Sequence, residues 1–236
     1  MMDEQCILIH DFTGSPAELD PLADALKSAG YQVTCPVLYG HGGSRDELKR
    51  ATASSWVMSV QPLVEEQLKR GPVHLVGFCM GAMIATILAK KFPVASVTML
   101  APAVYYSSSK QMFHQMARLI KASWDKSGSR LDHLRNRMEA ISQTPLPSVR
   151  QFRRLIQTAR PSLSELTVPL CVIQGEQDEV VEPRSAVYVY NAVQSMQKEV
   201  HYLKQSEHML CLGPEADTVN ALVLSFLAGL SRESAG

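Results

Sequence analysis

The sequence has no stretch approaching the roughly 20 uninterrupted apolar residues that cross a bilayer, so no integral membrane segment is expected. It also has no excess of either charge. Lys and Arg number 23 against 23 Asp and Glu, and no nucleic-acid partner is expected of a chain so balanced. Cysteines are few, odd in number and unpaired in spacing: Cys6, Cys35, Cys79, Cys171 and Cys211 form no CxxC or other metal-type pattern. Neither a disulfide framework nor a metal is expected, and no cofactor motif is present. Cys6, Cys35 and Cys171 lie in apolar runs, where cysteine serves as a small hydrophobe. The start of the chain, Met1-Met2-Asp3-Glu4, is acidic and lacks the features of a secretory signal, so the expected location is cytoplasmic. Internal repeats and low-complexity tracts are absent.

What is present is a chain of 236 residues, 46% hydrophobic, long enough to bury a sizeable core. Short apolar runs predict strands at Cys6 to His10, Tyr31 to Cys35, Val73 to Phe78, Ser96 to Leu100, Pro169 to Gln174 and about Glu199 to Leu203. Helical stretches of roughly 10 to 15 residues lie between them, and that alternation predicts an α/β fold with a mostly parallel sheet covered by helices on both faces. Between Leu38 and Ser44 the chain is too glycine-rich for a regular element. The alternation lapses over residues 104–160, which read as a small helical cap inserted into a core of residues 1–103 and 161–236. Eleven Lys and Arg in that interval face only Asp125, Asp132 and Glu139, a basic stretch that reads first as a solvated helical surface, with attraction of anionic substrates as the alternative.

Gly77-Phe78-Cys79-Met80-Gly81 has the spacing of a nucleophile elbow, Gly-x-nucleophile-x-Gly, between a predicted strand and a predicted helix. Both glycines are expected because the turn is strained and its neighbours approach closely. A nucleophile there needs a base within reach and an acid to orient the base. Asp178 follows the fifth strand and His208 follows the last, so nucleophile, acid and histidine occur in the order Cys79, Asp178, His208. Glu176 and Glu179 share the acid's loop and compete with it. His10 and His41 lie in loops following strands and are candidates to line the site; His74, at the start of a strand, is expected at the surface or an edge. The loop His10-Asp11-Phe12-Thr13-Gly14 would supply one oxyanion donor, the Phe12 N–H, and the residue after the nucleophile would supply the other, the Met80 N–H. Met80, Met83 and Met209 could line an acyl pocket, with ordinary core packing as the competing role.

His10-Asp11-Phe12-Thr13-Gly14-Ser15, Gly40-His41-Gly42, Ser55-Trp56, the elbow, Gln143-Thr144-Pro145, Asp178-Glu179 and Ser206-Glu207-His208 together resemble the small bacterial carboxylesterases related to monoacylglycerol lipases. The resemblance spans nearly the whole chain. It implies an alpha/beta-hydrolase fold with a small helical cap, hydrolysis of short to medium acyl esters, a triad of Cys79, Asp178 and His208, and oxyanion donors at Phe12 and Met80. Two positions depart from the family: serine is usual at Cys79 and glycine at Asp11. Asp11 is expected to point away from the donors and make a local turn hydrogen bond. Cys79, at a helix start and facing an imidazole, is expected as a thiolate. Thiolate leaves a tetrahedral adduct more readily than an unactivated alkoxide, so activated esters, thioesters or enol lactones suit it better than alkyl esters. Dienelactone hydrolases, which also carry an elbow cysteine, are similar in this respect. A small-molecule acyl ester is the expected partner; a thioester or dienelactone-type hydrolase, and a degenerate hydrolase that binds a small molecule, are the alternatives. Oligomeric state is left open.

Overall fold

A computed structural model of the protein describes residues 4–106 and 144–233. Its centre is one parallel sheet of six strands in the order β2-β1-β3-β4-β5-β6. The strands are β1 (Gln5–Ile9), β2 (Gln32–Thr34), β3 (Val73–Phe78), β4 (Ser96–Leu100), β5 (Leu170–Gly175) and β6 (Lys198–Leu203). Every residue of β1, β3, β4 and β5 is buried, which is why these segments read as unbroken apolar runs and not as alternating ones. The edge strands β2 and β6 are largely half-exposed.

The described helices are α1 (Asp20–Ser28), α2 (Arg45–Arg50), α3 (Ala53–Gln67), α4 (Met80–Lys91), α5 (Leu146–Ser162), α6 (Arg184–Ala192) and α7 (Ala216–Glu233). Helices α1 and α7 pack together, while α3, α4 and α5 form a second packed group, so the sheet is covered on both faces. None of the described helices is long and apolar enough to cross a membrane. Most of the expected cap, residues 107–143, lies outside the described residues. Of the remainder, Tyr106 bridges to Val181, and α5 packs on α4 through an apolar stripe of Val149, Phe152, Leu155, Ile156 and Ala159.

Strand register positions the site. Ile9 of β1 lies opposite Gly77 of β3, which brings the loop after β1 beside the turn after β3. Gly175 of β5 lies opposite Leu203 of β6, which brings the two following loops together in the same way. At the elbow, a methyl group on Gly81 would overlap the Ile9 carbonyl oxygen, and one on Gly77 would overlap the backbone of Gly81 and Ala82. Backbone cannot move aside as a side-chain tip can. Gly81→Ala is therefore expected to destabilise the protein by roughly 3 kcal/mol or more, read as a lower midpoint in urea denaturation.

Two elements differ from the sequence reading. Helix α2 occupies residues to which the sequence assigns no element, and its start carries a reciprocal capping box between Ser44 and Glu47. His74 is buried, because β3 lies at the centre of the sheet and not at its edge; the imidazole contacts the Ser96 hydroxyl at 2.8 Å.

Candidate active site

Cys79 sits between β3 and α4 with φ 51° and ψ −103°, a backbone conformation that costs a residue with a β carbon a few kcal/mol at most and needs firm support. The support is local. Cys79 N–H donates to the Leu100 carbonyl at 2.8 Å, and the two flanking glycines allow α4 to close against β1 and β3. The side chain is held at the carboxyl end of the sheet, buried, within 4.8 Å of both His208 and Asp11.

His208 comes from the loop after β6 and is 2% exposed. Its Nδ1 lies 2.9 Å from Asp178 Oδ2. Asp178 is itself fully engaged: Oδ1 accepts the Val180 and Val181 N–H groups, both at 2.9 Å, and Oδ2 also accepts from Gln174 Nε2 at 3.0 Å. A carboxylate this well held fixes the imidazole and favours its Nδ1–H form. Glu176 and Glu179, the competing acids, are exposed, whereas Asp178 is buried. The loop bearing His208 is tied down in turn, with Ser206 Oγ donating to Glu215 at 2.7 Å.

The loop after β1 is locked by His10. Its Nε2 accepts the Leu38 N–H at 3.2 Å, which leaves Nδ1–H to donate to the Asp11 carbonyl at 2.8 Å. Asp11 N–H donates to Glu18 at 3.4 Å. Phe12 is buried, with its ring stacked on Phe152 at 4.9 Å and edge-on to Trp56 and His41. The aromatic side chain thus has a task that sequence reasoning did not assign: it anchors the segment whose N–H is the expected donor. His41 lies against the rings of His10, Phe12 and Trp56, and burial lowers its pKa to about 4, so it is neutral. Met80 and Met83 are buried in the core, and only Met209 is half-buried.

Asp11 does not point away. Its Oδ1 accepts the Phe12 N–H at 2.5 Å and the Met80 N–H at 3.3 Å, so the carboxylate occupies both expected oxyanion donors. Its Oδ2 lies 3.6 Å from His208 Nε2. The local hydrogen bond to Phe12 forms as expected, yet the same oxygen also reaches Met80 because register holds the two loops side by side.

That placement reverses the expected electrostatics. Burial, then the facing Asp11 and Asp178 carboxylates, raise the Cys79 thiol well above its ordinary range. Burial also opposes charge on His208, but Asp178 and Asp11 outweigh it and raise the imidazole to about 9. At neutral pH the site therefore holds a thiol and an imidazolium whose counter-charges are Asp178 and Asp11. The helix N-terminus does not overcome two nearby carboxylates, and the expected thiolate is absent.

Similarity to known proteins agrees with this architecture. Residues 2–215 match a family model described as serine aminopeptidase, S33. The chain is 28% identical over 224 residues to a thermostable monoacylglycerol lipase of Bacillus sp. (strain H-257), covering 94% of this chain and 89% of that protein. It is 24% identical to a carboxylesterase of Bacillus subtilis (strain 168), covering 97% and 94%. Among solved structures, one described under LipS and LipT, two metagenome-derived lipolytic enzymes, superposes with a TM-score of 0.78 at 23% identity, covering 96% of this chain and 94% of that one.

Proposed function

The chain belongs to the serine aminopeptidase S33 family of the alpha/beta-hydrolases, and on that premise we propose that it is a carboxylic ester hydrolase of the lipase and esterase type, forming its acyl intermediate on Cys79. The observation that carries this reading is the alignment of three groups: an elbow cysteine at positive φ, an imidazole at its side, and a fully hydrogen-bonded Asp178 that fixes the imidazole from behind. A carboxylate in that position orients a base, and a binding module has no need of it.

The chemistry follows from the groups in place. His208, once neutral, takes the thiol proton while Sγ attacks the acyl carbonyl. The developing oxyanion takes the Phe12 and Met80 N–H groups in place of Asp11 Oδ1. Expulsion of the alcohol, protonated by the His208 imidazolium, leaves a thioester on Cys79, which water then cleaves with His208 again as base. Because thiolate competes with alkoxide as leaving group, activated acyl donors such as aryl esters and thioesters are the favoured substrates.

A second reading is favoured by Asp11 itself. A carboxylate seated on both donors suits a hydrolase scaffold that binds a metabolite without turning it over. Intact-protein mass spectrometry after exposure to an aryl ester separates the two. The hydrolase reading expects a mass increase equal to one acyl group, located on Cys79 and absent from Cys79→Ala. An unmodified protein together with no turnover of esters or thioesters would leave the binding reading.

A further inference from the structure

We propose that Cys79 Sγ, His208 Nε2 and Asp11 Oδ2 form a binding site for one thiophilic divalent cation of the zinc type. The three donor groups lie within 4.8 Å of one another, and all three residues are buried. Tetrahedral zinc binds sulfur at about 2.3 Å and imidazole nitrogen or carboxylate oxygen at about 2.0–2.2 Å, so neighbouring donors stand about 3.3–3.6 Å apart. The 3.6 Å between His208 Nε2 and Asp11 Oδ2 already has that spacing.

Each donor is oriented from behind. Asp11 is held through Oδ1 by the Phe12 and Met80 N–H groups, which directs Oδ2 to the imidazole. His208 is held through Nδ1 by Asp178, the carboxylate–histidine arrangement that supports metal-bound imidazoles. Among the described residues, the remaining ring nitrogen, Nε2, has no partner within hydrogen-bond distance although its side chain is buried, and it faces the other two donors, with Asp11 Oδ2 at 3.6 Å. Two carboxylates converging on one imidazole favour positive charge there, and a bound metal takes the place of the Nε2 and Sγ protons, which are released to solvent. The cysteine sulfur selects a borderline or soft ion over magnesium or calcium, and, among the described residues, three protein ligands leave a fourth position open. The donors come from loops after β1, β3 and β6, so no spacing along the chain reveals them.

This site shares side chains with acyl transfer but does not depend on it, since a metal and an acyl group exclude each other at Sγ. The test titrates metal-free, full-length protein with Co²⁺ and follows the thiolate-to-cobalt charge-transfer band. One equivalent is expected to develop the band, Zn²⁺ to displace it, and Cys79→Ser to abolish it. Asp11→Asn and Asp178→Asn, both close in shape to the native residues, are expected to weaken Co²⁺ binding by about 10–100-fold, and His208→Gln by at least as much. Far-UV circular dichroism checks that each variant is folded. No band at one equivalent, a band that persists in Cys79→Ser, or wild-type affinity in folded Asp11→Asn or His208→Gln would overturn the proposal. Acylation of the metal-free protein by an aryl ester is scored separately, so either reading can fail alone.

Discussion

Asp11→Gly is expected to raise kcat/KM toward aryl esters by roughly 10²–10³-fold at pH 7. Asp11 occupies the two N–H groups that the tetrahedral intermediate requires, and a single such donor is worth about that factor in acyl transfer. Glycine removes the side chain and leaves the loop's own anchors intact: His10 to the Asp11 carbonyl, and Phe12 within its aromatic cluster. A second effect acts through His208. With its pKa raised to about 9, only about one imidazole in a hundred is neutral at pH 7. Wild-type kcat/KM is therefore expected to rise about tenfold per pH unit from pH 7 and to level off near 9. Asp11→Gly removes one of the two carboxylates and shifts that limb downward. Asp11→Asn separates the contributions, because it removes the charge while still filling the donors. The stability effect has the matching sign. Pairing of the imidazolium with its carboxylates stabilises the fold below the ordinary histidine pKa of about 6.5, and this contribution is lost as pH rises through about 9. A folded Asp11→Gly protein with unchanged rate and unchanged pH limb would show that the carboxylate does not limit the site.

The four central strands were legible because each is a short, mostly apolar run bounded by turn residues, and burial on both faces leaves little room for polar substitution. The elbow was legible for a related reason: the two glycines mark places where backbone meets backbone. Helix α2 was missed despite its signal, Ser44 three residues before Glu47, because the glycines preceding it suggested an irregular segment. Asp11 was misread for a deeper cause. Its identity and loop were plain, but its direction depends on register between β1 and β3, on Leu38 reaching His10 and on Glu18 reaching the Asp11 N–H. None of these is local. The charge state of Cys79 followed the same pattern, since the helix start is a sequence-near feature and the two opposing carboxylates come from distant loops.

Asp178→Asn is expected to lower kcat by roughly 10³–10⁴-fold while leaving the protein folded. The Val180 and Val181 N–H groups require an acceptor at the position of Oδ1, so the asparagine carbonyl must face them and its NH₂ group must face His208 and Gln174. Gln174 can accommodate this by turning its amide, because its Oε1 has no hydrogen-bond partner among the described residues and can accept from the new NH₂. His208 cannot accommodate it so harmlessly. A donor facing Nδ1 forces that nitrogen to accept, which moves the ring proton to Nε2, the side that must receive the Cys79 proton. Asp11 Oδ2, 3.6 Å from Nε2, then favours the misplaced proton and holds the wrong tautomer. The deficit should consequently be smaller in an Asp11→Gly background, where nothing opposite Nε2 retains the proton. Kinetics of the two single variants and the double variant measure that coupling, and ¹⁵N chemical shifts of the His208 ring report the tautomer directly. A loss of less than about tenfold in kcat, with Nδ1 still protonated, would mean that Asp178 holds the loop together but does not set the base.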